Sequence, residues 1–176
     1  YVTDAFGNYV GSKSFDDAAS EDASVVEAVK TAAAGAYAAA SEKNISRIVK
    51  MYEDAEVVTL TPTGVQSTVN GAYTFTSEGA TYYAMTASAF GYGGPVNLLY
   101  IVDENGTIAK FKVMSHNETE YYGDVVSQSS YTNGYPGQQL DSIGDDVLVV
   151  SGCTFTTNAV KTAAADVAAA FNAVKE

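Results

Sequence analysis

Apolar positions along the chain first follow a helical period. Val25, Val26, Val29, Ala33, Ala36, Tyr37 and Ala40 recur on one face, preceded by Ser24-Val-Val-Glu27 with capping-box spacing. A second helical piece starts at Ser41 and carries Ile45, Ile48, Val49 and Tyr52. The pattern leaves open whether these are two helices or one bent helix. From Glu56 the period becomes that of strands. "EVVTLT" is bounded by Pro62 and Gly64, and "GAYTFT" and "TYYAMTASAF" flank the turn residues Ser77-Glu78-Gly79. "VNLLYIVD" and "TIAKFKVMS" flank Glu104-Asn105-Gly106, and Asn-Gly is a strong hairpin signal, so antiparallel neighbours are expected. From about His116 to Gly144 the chain is irregular and rich in Tyr, Ser, Gly and Asn, as functional or mobile loops are. "DVLVVS" reads as a last short strand. The terminal segment, with Val160, Ala163, Ala164, Val167, Ala170, Phe171 and Val174 on one face, predicts an amphipathic helix capped by Thr156 or Thr157.

This order of elements predicts an α+β fold, a twisted and mainly antiparallel sheet packed against helices. Residues 1–20 read as an arm, linker or short strand pair, and 21–176 as the domain. At 176 residues, 47% hydrophobic and 17% charged, the chain has enough apolar surface for a core. A net charge of −12 argues against nucleic acid and anionic membrane surfaces as partners. With one cysteine, Cys153, and one histidine, His116, neither an internal disulfide nor a protein-built metal site is expected. The Tyr- and Ser-rich, Arg-poor composition has an extracytoplasmic look. The abrupt opening at Tyr1-Val2-Thr3 reads as a processed or excised fragment, so any leader or anchor would lie outside it.

The candidate chemistry lies in "SGCTFT", Ser151 to Thr156, directly before the last helix. A helix N-terminus offers unpaired N–H groups and the positive end of the helix dipole, which together favour a phosphate. Gly152 lets backbone approach an anion closely, and Thr154 adds a hydroxyl. Taken alone, such a turn is better explained by ordinary capping, because Ser- and Thr-rich caps are common. No nucleophilic triad can be assembled, because His116 is the only imidazole, and its position suits a strand-end hydrogen bond.

Four elements in order give the turn a context. They are Gly91-Tyr92-Gly93-Gly94, the hairpin from Asp103 to Ile108, His116-Asn117-Glu118-Thr119, and Ser151 to Thr156. Together they resemble the FMN-binding domain of the Rnf complex G subunit and of the C subunit of the sodium-pumping NADH:quinone reductase, a domain also present in secreted flavoproteins of Gram-positive bacteria. The resemblance runs from about Tyr82 to Val174. It implies FMN as cofactor, attached through its phosphate to Thr154 by a separate flavin transferase that takes FMN from FAD. By the same resemblance, Ser151, Gly152, Cys153 and Thr156 surround the phosphate, and Glu118 and Thr119 lie near the polar edge of the ring. Tyr92, Gly93 and Tyr122 are further candidate contacts, the two tyrosines equally readable as stacking faces or as ordinary surface or core tyrosines.

The resemblance implies an extracytoplasmic electron carrier at the cell surface or in the periplasm. Its partners would be redox proteins or a quinone-linked membrane complex, and it would be a carrier rather than an enzyme in its own right. Three features depart from the family pattern. Cys153 replaces alanine, Leu148 stands where an aspartate is usual, and Glu120-Tyr121-Tyr122-Gly123 replaces Pro-Gly-Leu-Gly. Leu148 supports a competing reading, a flavin-free structural or binding module of a larger surface protein. A third reading is a fragment of a flavin-dependent reductase whose catalytic domain lies elsewhere.

Overall fold

A computed structural model describes residues 2–3, 9–11, 23–62, 68–120, 123–143 and 149–175. Strands β1 (Val2–Thr3) and β2 (Tyr9–Gly11) form an antiparallel pair. Helix α1 then runs unbroken from Ala23 to Met51, which settles the question of two helices in favour of one. Five strands follow in sequence order as one antiparallel sheet: β3 (Val58–Leu60), β4 (Val69–Ser77), β5 (Ala80–Phe90), β6 (Pro95–Asp103) and β7 (Ile108–Ser115). After a 3-10 turn at Asp124–Ser127 comes the short helix α2 (Ser129–Thr132), then a second 3-10 turn at Leu140–Ser142. Helix α3 spans Thr154–Lys175. The architecture is α+β, as the pattern predicts.

The hairpins form where the turn residues stand. Glu78 and Gly79 both have positive φ, 52° and 79°, between the paired Ser77 and Ala80, which matches the right-handed twist of the strands. At the next hairpin Asp103 Oδ1 accepts the N–H groups of Asn105 (2.8 Å) and Thr107 (2.9 Å), so the side chain closes the turn.

Alternation along the strands sends side chains to two cores. On one face Tyr73, Phe75, Ala84, Leu99 and Ile101 bury against Ile48 of α1. A buried polar contact fixes the same docking: Asn44 Nδ2 donates to Tyr73 Oη (3.2 Å) and Thr86 Oγ1 (3.4 Å), and Thr86 in turn donates to Asn70 Oδ1 (2.6 Å). On the other face Met85, Ala87, Leu98, Tyr100 and Val102 meet Val160, Ala163, Ala164, Val167 and Phe171 of α3. The stretch after β7 is not a loose loop. Val126, Tyr131, Tyr135, Leu140 and Ile143 are buried in this same core, and Phe111 and Tyr135 stack at 3.9 Å between centroids. Its backbone also covers the start of β7, with Ile108 N–H donating to Gln138 O and Leu140 N–H to Gly106 O.

Two expectations about the end of the chain are corrected. Val149, Val150 and Ser151 are not in a strand, and the first half of the expected "DVLVVS" strand, Asp146, Val147 and Leu148, lies outside the described residues. Helix α3 begins at Thr154, so neither Thr156 nor Thr157 is its cap. Both are buried in the first turns. Cys153 takes the capping position, its carbonyl accepting the Thr157 N–H at 3.0 Å. The Thr157 hydroxyl also turns back onto Cys153 O (3.1 Å), a competing use of a hydroxyl inside a helix that a capping pattern does not distinguish.

Ile48→Ala is expected to lower stability by about 2–5 kcal/mol, because Ile48 is fully buried between α1 and the sheet. Denaturant unfolding measures it, and a loss within error of zero would mean that α1 is not docked there. A second test concerns pH. Burial holds the Tyr100, Tyr131 and Tyr135 phenols above their ordinary value of 10.0, and neighbouring phenols push Tyr100 and Tyr135 further up. The unfolded chain releases these protons near pH 10 while the folded protein keeps them. Their contribution to stability is therefore complete below that pH and declines as pH rises toward the folded values. Phenolate absorbance should rise in two phases, the second coinciding with loss of helical circular dichroism. Complete ionisation with the dichroism unchanged would contradict this.

Candidate functional site

The Ser151–Thr156 turn lies where α3 starts, beside the loop that joins β5 to β6. Gly152 has φ 85°, and a Cβ built on it meets nothing within 4 Å, so glycine is required by the backbone and not by crowding. Cys153 N–H donates to Val150 O at 3.0 Å, closing the turn, and the cysteine itself is buried. Ser151, Gly152, Thr154 and Phe155 are exposed. The first-turn N–H groups of Thr154, Phe155 and Thr156 have no acceptor one turn back in the helix.

Glu118 connects this turn to the glycine loop. Its Oε2 accepts the Thr156 hydroxyl at 2.7 Å and the Gly93 N–H at 3.2 Å. Its Oε1 is closed off from solvent and has no protein donor. The carboxylate fits only because its neighbours have no side chains, since a Cβ on Gly91 or on Gly123 would run into it. Gly91 N–H donates to Gly94 O (2.8 Å), which tightens the loop. The Glu118 N–H in turn donates to His116 Nδ1 at 3.2 Å, the strand-end structural bond expected of this imidazole.

Between these parts lies a cleft of about 380 Å³ lined by Tyr92, Thr119, Gly152, Cys153, Phe155 and Thr156. Five of the six are residues singled out in the sequence. Phe155 is the addition. It occupies a variable position inside the Ser-Gly-x-Thr-x-Thr pattern, so nothing in the motif marks it. Thr154 stands at the first helical position next to the lining residues, exposed to solvent. Glu118 does not line the cleft but turns inward, and the Thr156 hydroxyl proton is committed to it. Tyr122 lies outside the described residues. A second cavity, about 490 Å³, lies on the α1 side of the sheet against Tyr52, Asp54, Tyr82 and Lys110, and it contains none of the motif residues. Among the described residues no group of three or more His, Cys, Asp or Glu could hold a metal ion, and no helix is long and apolar enough to cross a membrane.

Residues 91–169 match the FMN-binding domain family. That stretch, 79 of the 176 residues, is similar to an FMN-binding domain. Two curated relatives are G subunits of oxidoreductase complexes. One belongs to the proton-translocating ferredoxin:NAD(+) oxidoreductase complex of Clostridium ljungdahlii, and it is 29% identical over 86 residues that make up 44% of this chain and 46% of the relative. Another belongs to the ion-translocating oxidoreductase complex of Cereibacter sphaeroides, and it is 33% identical over 75 residues, 41% of this chain and 34% of the relative. The chain thus spans less than half the length of either relative.

The cleft suits FMN in volume and in the chemistry around it. Its volume is in the range of small-molecule sites. The first-turn N–H groups of α3 and the exposed Thr154 hydroxyl beside the cleft suit a phosphate. The aromatic side chains of Tyr92 and Phe155, 74% and 73% exposed, suit a flat apolar ring.

Because Glu118 is the shared acceptor for a buried hydroxyl and a loop N–H, Glu118→Ala should cost about 1–3 kcal/mol. Glu118→Gln keeps an acceptor oxygen and should cost less. Thermal unfolding of the two variants provides the comparison, and an alanine variant as stable as wild type would mean that the tie is not made.

Proposed function

We propose that this chain is an extracytoplasmic electron-transfer flavoprotein domain whose FMN is attached by a phosphoester to Thr154. The observation that carries the reading is the position of that hydroxyl. It is exposed, at the first residue of α3, beside unpaired N–H groups and next to a cleft with aromatic walls. The relatives' standing as parts of ion-translocating oxidoreductase complexes supports electron transfer within a membrane-linked assembly.

Bound FMN supplies one- and two-electron chemistry that no side chain here can supply. The residues of the chain attach and orient it. Attachment would join Thr154 Oγ1 to the FMN phosphorus of FAD as the pyrophosphate bond breaks, with AMP leaving with the bonding electrons and the hydroxyl proton passing to a base on the flavin transferase. The N–H groups of Phe155 and Thr156 would hold the phosphate, and Ser151 would add a further donor. Cys153 holds the turn by its backbone, and its buried position gives the thiol the packing role of the family's alanine. Redox proteins or a quinone-linked membrane complex are the partners, and the net charge of −12 disfavours strongly acidic ones.

A second reading rests on Leu148. If the transferase requires a carboxylate at that position, the domain is a flavin-free structural or binding module. Co-expression with a flavin transferase separates the two. Under denaturing conditions the intact mass of wild type should increase by one FMN less one water, and Thr154→Val should show no increase while folding normally. An unmodified wild-type mass would favour the flavin-free module. Peptide mapping of flavin to Ser151 or Thr156 would overturn the assignment to Thr154.

A further inference from the structure

Two large aromatic side chains stand exposed at one cleft, an expensive arrangement unless something covers them. Tyr92 is 74% and Phe155 73% exposed, and both line the cleft beside Thr154. Their ring centroids are 6.3 Å apart and their planes meet at 47°. Planes at that angle cannot both lie flat on one planar ligand. They form a corner, in which a flat ring stacks on one wall and meets the other at its edge.

The corner is held from behind. Tyr92 lies in the loop closed by the Gly91–Gly94 hydrogen bond, and Phe155 lies in the first turn of α3. Glu118 joins the two, since its Oε2 takes both the Gly93 N–H and the Thr156 hydroxyl. The residues on either side of the aromatic pair are thus fixed to one carboxylate, with Gly91 and Gly123 leaving it room. This tie sets the separation of the two walls.

We propose that Tyr92 is the wall on which the isoalloxazine ring stacks, that Phe155 closes its edge, and that Glu118 is the positioning residue that holds the corner. This rests on the reading of the cleft as the FMN site. Chemistry decides between the two walls. Phe155 directly follows the attachment residue, whereas the five-carbon ribityl chain separates phosphate from ring. The ring is therefore assigned to Tyr92, the wall on the separate segment, and Phe155 to the side nearer the ribityl chain. A phenol in contact with an excited flavin quenches its fluorescence by lending an electron that returns at once. A benzene ring stacks equally well but does not quench.

The test uses two preparations of the full chain: protein loaded by co-expression with a flavin transferase, and protein made without one and titrated with riboflavin, which has no phosphate to attach. In the loaded protein, fluorescence should be strongly quenched and should recover several-fold in Tyr92→Phe with the same visible absorbance. Phe155→Ala should leave the quenching in place and shift the visible circular dichroism. In the riboflavin titration Tyr92→Ala and Phe155→Ala should each weaken binding about threefold to tenfold, while Tyr92→Phe binds as wild type. Glu118→Ala should partly relieve quenching, and Glu118→Gln should restore it. Loaded protein whose fluorescence is the same in wild type and Tyr92→Phe would overturn the proposal while leaving attachment at Thr154 intact. If wild type gains no flavin mass, the attachment reading fails, and the riboflavin arm judges the corner alone. Quenching relieved by Tyr92→Phe sustains it, and riboflavin that is neither bound nor quenched ends it.

Discussion

The seating of α3 on the inner face of the sheet determines where everything else in this molecule can be. Its buried stripe is mostly alanine and valine, Ala159, Val160, Ala163, Ala164, Val167 and Ala170, so the helix backbone can approach the strands closely. Phe171 anchors the far end, meeting Tyr83 of β5 edge-on at 5.3 Å. Asp166 adds a polar fastening by accepting both the hydroxyl and the N–H of Thr68, at 2.6 and 3.1 Å. With the axis so fixed, the first turn of α3 has little choice of position. It falls beside the end of β5, where the chain must turn into β6. The cleft is the space between a helix start and a hairpin connection whose relative placement the core has already decided.

Glu118 converts that proximity into a defined shape. A carboxylate between two backbone segments is usually hydrated, but here glycines bring the segments so close that one oxygen serves both. This explains why glycines occur at 91 and 123, on opposite sides of Glu118 in sequence. It also explains the tie's sensitivity: a single methyl on either glycine would displace the acid and release the loop from the helix.

Much of this was legible in the residues. Period-two alternation and the turns at Glu78-Gly79 and Asn105-Gly106 gave the order of the sheet, because each hairpin is a local decision. The apolar stripe of α3 was equally plain. What could not be read depends on non-local choices. Thr156 and Thr157 look like caps, but the backbone puts Cys153 at the cap, and the two hydroxyls bond to Glu118 and to a helix carbonyl instead. The unbroken α1 was ambiguous because the alanine-rich stretch 31–40, with helix propensity and mostly exposed where its side chains are described, carries no mark of where packing begins. Glu118 was singled out by its motif. Its inward orientation was not legible, since only the folded chain brings Gly91, Gly123 and Thr156 around it. Phe155 was missed because a motif reports the positions a pattern shares, and an exposed aromatic at an unshared position is visible only once the cleft is formed.

The exposure of the residues at the cleft bears on how a flavin would be kept. Sites that hold a cofactor by contact alone enclose most of its surface. Here Tyr92, Phe155, Thr154 and Gly152 all remain exposed, so the walls would leave one side of a bound ring open. Such a site gives up affinity for access. Access is what an electron carrier needs, because a partner must come close to the ring, but a weakly held cofactor would be diluted away outside the cell. A phosphoester at Thr154 resolves the conflict in the proposed reading, since the bond secures the flavin and the walls have only to orient it. On that view the exposed aromatic corner and the exposed threonine are two parts of one solution. An enclosed pocket at the same place would make the covalent bond unnecessary and the electron transfer slow.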